Sequence, residues 1–428
     1  MRSVPPPPAS TKRKTVWNCK ARVVLITRLF GGGAKAREVD KVSWLRSSAA
    51  KSALRSWWRA GHAHEFSSLE GLRKREEELF GTLGTFDSNG TPQGGPGALE
   101  VTTQSLMALP LTEYREPLSD PLNYALFPAQ GMGQPAARVA MASDQTWSSI
   151  QLVSPSDDPV IHGLLLESLR LWLTLGGVGS RTRRGAGAVA ASNLEEAQRL
   201  GLPTSYRELE NFLLKHCRAQ SVPKPLEGVF CLARTRRIFL GPVQSSGEEA
   251  QRKLLSVLRG IRQDRPRPQG GWGRSRWPEA DAIRLKENPT KNWGHPPSSG
   301  NAEQYPRAAL GLPIVIHFKD HPPAEPAEHQ VLGALPHEQG WRKIERYSSP
   351  VLLRPVCVWE RDRPRYVPMA IFTDCTLPSD VRPLVTTEPK AELALSDVVK
   401  SYGILKNADE TLRRIESAFE KAPGFHPL

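Results

Sequence analysis

The order of strand and helix patterns between residues 16 and 191 is the feature that most constrains the fold. A strand pattern over Val16–Phe30 precedes a helical pattern over Arg46–Ala60, further strand patterns, a helix at Pro159–Leu175 and a strand at Ala186–Ala191. The helix at Pro159–Leu175 is the clearest element, because its apolar side chains form one stripe before Gly176 ends it. This order predicts an α+β unit of the βαββαβ, ferredoxin-like type.

A similar order recurs more weakly in the second half of the chain. A strand at Gly228–Leu240 and a helix at Glu248–Ile261 are followed, after a Pro/Gly/Trp-rich stretch, by strands at Val351–Glu360 and Tyr366–Phe372. We therefore expect two ferredoxin-like (RRM-like) βαββαβ domains with long loop insertions. The predicted organisation is a disordered N-terminal tail (1–15), a first domain carrying a Gly-rich loop (16–195), a connector (196–225) and a second domain (226–428).

Positive charge is concentrated in two parts of the chain. The formal net charge is +14, yet residues 1–60 alone carry +12 and residues 215–277 carry +10, so the remainder is acidic. Arg outnumbers Lys by 40 to 18, and the planar guanidinium group binds phosphate in a bidentate manner and stacks on bases. This profile favours a nucleic-acid partner. Use of Arg on ordinary surfaces by a GC-rich genome is the alternative explanation.

Several protein classes are poorly supported by the sequence. No run approaches ~18 apolar residues, so we expect no membrane span, and the basic, Pro-rich N-terminus lacks the apolar core of a secretion signal. The five cysteines are scattered and form no CxxC pair, which argues against a zinc ribbon and a disulfide framework. We expect a cytoplasmic protein.

The helix predicted at Arg46–Ala60 presents a basic face. Lys51, Arg55 and Arg59 recur every four residues, opposite a face formed by small and apolar side chains. Like charges in this arrangement repel each other, so we expect an anion to offset them, and a phosphate backbone is one candidate. Trp58 lies at the border of the two faces and could stack on a base. A solvated basic face with Trp58 in the core is the alternative.

The Gly-rich segment 176–187 follows a predicted helix and precedes a strand. Glycines such as Gly177 and Gly179 allow a phosphate to approach the backbone closely, and Arg181, Arg183 and Arg184 lie in the same loop. A dinucleotide-binding GxGxxG motif follows a strand and opens a helix, and no P-loop motif is present. The segment therefore favours contact with a sugar-phosphate backbone, and a flexible basic hairpin is the alternative.

A third segment, residues 265–278, interleaves arginines and tryptophans among Pro and Gly. Arg274, Arg276 and Trp277 could form a platform on which unpaired bases stack, or they could serve only in packing. Catalytic signals are weak by comparison. His62, His64 and Glu65 lack a further ligand for a zinc site, and no nucleophile motif is present. The sequence therefore predicts neither an enzyme, nor a metal site, nor a cofactor.

Several blocks together resemble one family. They are Leu29–Ala34, the basic segment Arg46–Arg59, the loop Gly176–Gly187, Tyr305–Val315 and Arg346–Pro355. In this order they resemble the RAMP-superfamily Cmr subunit one of type III-B CRISPR effector complexes. The chain departs from that family at Ser47 and Ser52, where the family usually carries Gly, and at Lys51, where it carries Arg.

The resemblance implies two ferredoxin-like domains and a non-catalytic subunit that contacts the crRNA 3′ region, the target RNA or both in antiviral defence. Its implied partners are crRNA, target RNA and other subunits of the Cmr complex, with no membrane involved. A metal-independent RAMP-type endoribonuclease that processes guide RNA and a protein-interaction scaffold are the alternatives. The predicted RNA-binding residues are Gly31, Gly32, Gly33, Arg46, Lys51, Arg55, Trp58, Arg59, Gly177, Gly179, Arg181, Arg183, Arg184, Arg274, Arg276 and Trp277.

Overall fold

The computed structural model describes residues 15–428 apart from 34, 36, 41, 83–84, 87–91, 106–108, 118, 131–134, 218–225, 227, 263–276, 319–321, 339, 375–379, 388–396 and 400–407. The predicted disordered tail lies almost wholly outside these residues. The strands are β1 (Trp17–Leu25), β2 (Thr85–Phe86), β3 (Pro92–Gln93), β4 (Glu100–Ser105), β5 (Leu111–Glu113), β6 (Arg138–Ala140), β7 (Ser143–Ser154), β8 (Val189–Ala191), β9 (Thr235–Leu240), β10 (Ile314–Ile316), β11 (His329–His337), β12 (Gly340–Ile344), β13 (Val351–Glu360), β14 (Arg363–Thr373), β15 (Arg382–Thr386) and β16 (His426–Pro427). The α-helices are α1 (Ser47–His62), α2 (Leu69–Phe80), α3 (Leu122–Leu126), α4 (Pro159–Leu175), α5 (Leu194–Leu200), α6 (Tyr206–Cys217), α7 (Gly247–Arg262), α8 (Glu279–Glu287) and α9 (Ala408–Glu420).

The first unit is built from β1, α1, β4, β7, α4 and β8, in that chain order. Its sheet has the strand order β4-β7-β1-β8, with all neighbours antiparallel. Alternate residues of β1 point to one face of the sheet, so Val23 and Leu25 pack with Leu54 of α1 and Leu169 of α4 in one buried cluster. The sheet and these two helices therefore share one core.

Helix α4 has clear end signals in the sequence. The Asp158 side chain accepts a hydrogen bond from the Val160 backbone N–H at 2.8 Å, Pro159 occupies the first turn, and Gly176 follows the last residue. Leu169 faces the core of the first unit, whereas Leu171 and Leu175 pack in a cluster with side chains of the other large sheet. Helix α4 therefore connects the cores of the two halves.

The second unit is built from β9, α7, β13, β14, α9 and β16. Its antiparallel sheet has the order β13-β14-β9-β16, which matches the strand order of the first unit position by position. Phe239, Phe372 and Phe419 fill its core, with ring centroids 5.7–5.8 Å apart. A further sheet is inserted in this unit, where β11 pairs with β10, β12 and β15.

The α+β class predicted from the sequence is confirmed, as are the helices predicted at Arg46–Ala60, Pro159–Leu175 and Glu248–Ile261, to within two residues. One strand was predicted with the wrong bounds, since the strand expected at Gly228–Leu240 is shortened to β9 by a 3₁₀ turn at Leu232–Arg234. Helix α8 lies in the Pro/Gly/Trp-rich stretch, for which the sequence predicted no helix. The predicted helix at 390–402 falls largely outside the described residues.

Candidate nucleic-acid interface

A cleft of about 820 Å³ lies between the two units. We call it the interunit cleft. It is formed by one side of α1, the Gly-rich segment after α4, the segment before β9 and the segment before β13. Its polar, charged and aromatic lining comprises Arg46, Ser52, Ser56, Trp57, Arg59, Ser180, Thr182, Arg183, Phe230, Arg346, Tyr347, Ser348, Ser349, Thr373 and Asp374, and its glycines are Gly32, Gly176, Gly177, Gly179 and Gly228.

The two glycine segments predicted to bind RNA lie against each other. The Ser180 backbone N–H donates to the Phe30 carbonyl at 2.8 Å, and a Cβ added at Gly32 would lie 3.3 Å from the Cα of Gly179. Gly179 has a φ of 77°, and a Cβ there would lie 2.7 Å from the Phe30 carbonyl oxygen. The close approach of these two backbones explains why this loop contains glycine.

The segment 176–187 forms an ordered turn rather than the flexible hairpin that was the alternative. The Val178 N–H donates to the Gly187 carbonyl at 2.9 Å, and the Arg184 N–H donates to the Arg181 carbonyl at 2.8 Å. The buried Thr27 hydroxyl donates to the Gly185 carbonyl at 2.7 Å and accepts the Ala188 N–H at 2.8 Å. These bonds tie the loop to β1 and fix its backbone.

Arginines dominate the charge of the interunit cleft. Arg46, Arg59, Arg183 and Arg346 line it, against the single carboxylate of Asp374 among the described lining residues. That carboxylate already accepts a hydrogen bond from the Arg234 guanidinium at 3.3 Å. The cleft is therefore suited to an anionic ligand.

Aromatic rings lie beside these charges. The Arg183 guanidinium lies 4.1 Å from the centroid of the Phe230 ring, which meets the Trp57 ring edge-on at 6.5 Å. Tyr347 also lines the cleft and is half-buried. A cleft that combines guanidinium groups, glycine backbone and aromatic rings offers contacts to both the phosphates and the bases of a single strand.

The basic face of α1 is partly neutralised from within the protein. The carboxylate of Glu76 in α2 pairs with both Arg55 and Arg59, and its two bonds to Arg59 measure 2.6 Å. Burial opposes the charged form of Glu76, but the two guanidinium groups outweigh it and hold the pKa of its carboxyl below the ordinary value. The anion expected for this face is therefore supplied by Glu76, and only Arg59 of the stripe also lines the cleft.

Three predicted RNA-binding side chains are buried, and these predictions are corrected. Trp58 is 1% exposed and packs against Phe66 and Phe80. Arg184 is 8% exposed and donates to the Val351 carbonyl at 3.0 Å. Trp277 is 4% exposed and donates its indole N–H to the Ile261 carbonyl at 2.8 Å. In each case the tertiary fold uses the side chain for packing or anchoring.

The other predicted residues divide into three groups. Gly32, Arg46, Arg59, Gly177, Gly179 and Arg183 line the interunit cleft, and Gly31 adjoins it through contact with Ser180. Gly33, Lys51, Arg55 and Arg181 are not among its described lining residues, and Arg181 is exposed with a φ of 65°. Arg274 and Arg276 lie outside the described residues.

Sequence reasoning missed the residues that the other side of the cleft contributes. Arg346 and Tyr347 belong to the resembling block Arg346–Pro355 but are not among the predicted RNA-binding residues, and neither is Phe230. The sequence signal available for these residues was the adjacent Arg and Tyr that precede a strong strand pattern. Nothing in the sequence placed this block opposite the Gly-rich loop.

His62, one of the weak zinc candidates, lies in an ionic cluster. Its imidazole contacts the carboxylates of Glu65 at 2.8 Å and Glu167 at 3.4 Å. Burial disfavours the charged imidazole, but hydrogen bonds to Glu167 and Glu65 outweigh it and raise the pKa of His62 to about 9. Within the described part of the chain, no group of three or more His, Cys, Asp or Glu is arranged to hold a metal ion. Over the same residues, no helix has the length and apolar character needed to cross a bilayer.

Comparisons with known proteins find one matching family model and several similar solved structures. Cmr1 from Pyrococcus furiosus, in its apo form, is 16% identical, with a TM-score of 0.49 over 96% of this chain and 98% of that one. A chain of the type III-B Cmr-beta complex bound to cognate target RNA is 10% identical, with a TM-score of 0.41 over 93% of this chain and 98% of that one. No curated protein matches the sequence. The model of the RAMP superfamily matches residues 22–190, so this part of the chain is a RAMP-superfamily domain, as its sequence blocks predict.

Proposed function

We propose that this protein is a non-catalytic RNA-binding subunit of a type III-B CRISPR effector complex. The interunit cleft would hold a single-stranded segment of the crRNA 3′ region, of the target RNA or of both. The other subunits of the complex would be its protein partners. We further infer that both units are ferredoxin-like, because each sheet follows the second-third-first-fourth strand order of a βαββαβ unit.

The observation that carries this proposal is the composition of the cleft. Guanidinium groups from before α1, from α1 itself, from the Gly-rich loop and from the segment before β13 line one concave surface. Glycine backbone forms part of the same wall, which allows a phosphate to approach closely. The RAMP-superfamily match over residues 22–190 covers the glycine segments and α1 but not the wall that Arg346 and Tyr347 supply.

Binding without cleavage is the function that the cleft supports best. Metal-independent RNA cleavage needs a base placed near the scissile phosphate. The described lining residues include no histidine, and the Asp374 carboxylate is engaged by Arg234. The endoribonuclease and the protein-interaction scaffold remain the competing functions, and the following experiment separates them.

The test measures binding of a labelled single-stranded RNA to the full chain over a range of salt concentrations. Three arginine–phosphate contacts, from Arg46, Arg183 and Arg346 but not from Arg59, which is paired with Glu76, predict a log–log slope of roughly −2, with each lost contact reducing it by about 0.7. Arg46→Gln and Arg346→Gln each remove one such contact, so each should lower both the affinity and the slope. Arg115→Gln is the matched control, because this exposed arginine lies outside the described cleft lining.

The competing functions give different results in the same preparation. Equal binding by the wild type and both cleft variants, with a slope near zero, would favour the scaffold. A defined cut in a guide-precursor RNA, obtained with or without chelator, would favour the endoribonuclease. Binding that depends on Arg46 and Arg346, with the RNA recovered intact, supports the proposal.

A further inference from the structure

The sequence block Arg346–Pro355 contains a buried cation that does not reach the interunit cleft. Arg354 lies in the middle of β13 and is 1% exposed. Its guanidinium donates to three carbonyls of the first unit, at 3.1 Å to Thr174, 3.2 Å to Leu173 and 2.5 Å to Val189. Arg354, a residue of the second unit, therefore donates all three of these hydrogen bonds to the first unit.

The three carbonyls lie on both sides of the Gly-rich loop. Leu173 and Thr174 belong to the last turn of α4, directly before the loop, and Val189 begins β8 directly after it. Carbonyls in the last turn of a helix have no partner within the helix, and a cation there complements the helix dipole. A single guanidinium thus spans the two ends of the loop.

Arginines of the loop, in turn, donate hydrogen bonds to carbonyls at the start of β13. The Arg184 guanidinium donates to the Val351 carbonyl at 3.0 Å, and the Arg183 guanidinium donates to the Ser349 carbonyl at 2.9 Å. The Leu353 backbone N–H donates to the Arg183 carbonyl at 3.0 Å. Arginines of the loop therefore bind the start of β13, and Arg354 of β13 binds the residues on either side of the loop.

Carbonyl oxygens, rather than carboxylates, satisfy these arginines. In the described residues, none of Arg183, Arg184 and Arg354 has a carboxylate within salt-bridge distance, unlike Arg55 and Arg59. Burial lowers the pKa of Arg183 and Arg184 to about 10 and that of Arg354 to about 9, so all three remain charged at neutral pH. Their charge is retained beside the cleft.

We propose that Arg354 is a positioning residue for RNA binding, which clamps both ends of the Gly-rich loop to the second unit. This inference rests on the proposed function. The clamp holds the loop backbone and Arg183 in the conformation that lines the cleft, so RNA binds without first ordering the loop. The second unit therefore contributes to RNA affinity through a side chain that touches no RNA.

The experiment compares the full-length chain with Arg354→Met, which keeps an unbranched apolar stem and removes the guanidinium with its donors. We expect single-stranded RNA to bind about tenfold more weakly with an unchanged salt slope, because no phosphate contact is lost. Amide hydrogen exchange across residues 176–187 should accelerate in the absence of RNA. The control is Arg170→Met, which removes a 2.6 Å bond to the Leu200 carbonyl away from the loop and should change neither quantity.

The outcomes distinguish the clamp from the proposed function. A folded Arg354→Met with wild-type affinity and wild-type loop exchange overturns the clamp and leaves the proposed function intact. A wild-type chain that fails to bind RNA overturns the proposed function, and the role of Arg354 in RNA binding with it. If Arg354→Met does not fold, Arg354→Lys tests the clamp instead, because one ammonium group cannot bind carbonyls at both ends of the loop. Weaker binding at an unchanged slope then supports the clamp, and wild-type affinity overturns it.

Discussion

The basic face of α1 and the arginines of the Gly-rich loop look alike in sequence but are satisfied by different acceptors. Arg55 and Arg59 pair with the buried carboxylate of Glu76. Arg183 and Arg184 donate instead to the Ser349 and Val351 carbonyls. A carboxylate cancels the charge that it binds, whereas a carbonyl satisfies the donor and leaves the charge in place.

This difference shows that a count of basic residues is a poor guide to where an anion binds. The helix face has its counter-ion within the protein, so it contributes less to the potential of the interunit cleft than its sequence indicates. The loop exposes Arg181 and partly exposes Arg183, and no described carboxylate cancels their charge. The loop therefore determines more of the affinity that the cleft can have for phosphate.

The largest expected effect is that of Gly187→Ala, which disturbs the backbone of the Gly-rich loop. Gly187 has a φ of 62°, and its new Cβ would lie 2.0 Å from the Val178 carbonyl oxygen. We expect a loss of about 3 kcal/mol in the free energy of unfolding, measured by urea denaturation, because both the backbone conformation and the contact are strained.

Gly163→Ala in α4 is the matched control for this change. An added Cβ there has no atom within 4 Å, so the helix should gain roughly 0.5–1 kcal/mol. Equal stability of Gly187→Ala and the wild type would show that the loop relaxes freely, contrary to its hydrogen bonding.

A smaller effect is expected from Glu76→Gln, which removes the carboxylate of the helix face. The free energy of unfolding should fall by about 2 kcal/mol, less than for a fully buried ion pair because Arg55 and Arg59 are partly exposed. The salt slope of RNA binding should become steeper by up to about 0.7, since Arg59 lines the cleft and is released from its partner.

Glu78→Gln on the same helix controls for this change, because Glu78 is half-exposed and pairs with Arg75. It should alter stability by less than about 0.5 kcal/mol and leave the slope unchanged. A Glu76→Gln chain with the slope of the wild type would mean that the helix face does not meet RNA at all.

The smallest effect concerns pH and the His62 cluster at the end of α1. The folded-state pKa of His62, about 9, lies above its ordinary value of 6.5, so its stabilising contribution is complete below pH 6.5 and is lost as pH rises through 9. Glu65, Glu167 and His216 face this cluster, and burial lowers the pKa of His216 to about 4. His216 therefore stays neutral across this window.

The measurement compares the wild type with His62→Gln by urea denaturation at several pH values. The wild type should be more stable by on the order of 1 kcal/mol at pH 6, and the difference should shrink toward zero by pH 9.5. A difference that does not vary with pH would contradict a charged His62. RNA affinity should be unaffected in both proteins, since His62 does not line the cleft.

Local sequence signals predicted the elements that depend on short-range physics. Helix α4 was predicted at its observed bounds because its apolar stripe and the terminating Gly176 agree with each other. Helix α8 was missed because it is short, polar and preceded by a Pro- and Gly-rich stretch. The blocks within residues 22–190 that resemble the RAMP superfamily were also recognisable from the sequence, because close backbone contacts require glycine at particular positions.

The candidate site was only partly predictable, because it is formed by segments far apart in the sequence. Arg46, Arg59 and Arg183 were identified from their own surroundings and do meet in one cleft. Trp58 was placed at the border of two helix faces, where it could stack on a base, yet it is buried because α1 packs against α2 as well as the sheet. Periodicity indicates which residues share a face but not which neighbour will cover it.

By itself, the sequence determined the α+β class, the main helices, the glycine segments and the two concentrations of positive charge, because each depends on residues close together in the chain. Only the tertiary structure decided which arginines keep their charge available. Glu76 comes from a different helix, and the Val351 and Ser349 carbonyls come from the other unit. The acceptor that satisfies a guanidinium is chosen by packing, so the position of the candidate anion-binding surface follows from the fold.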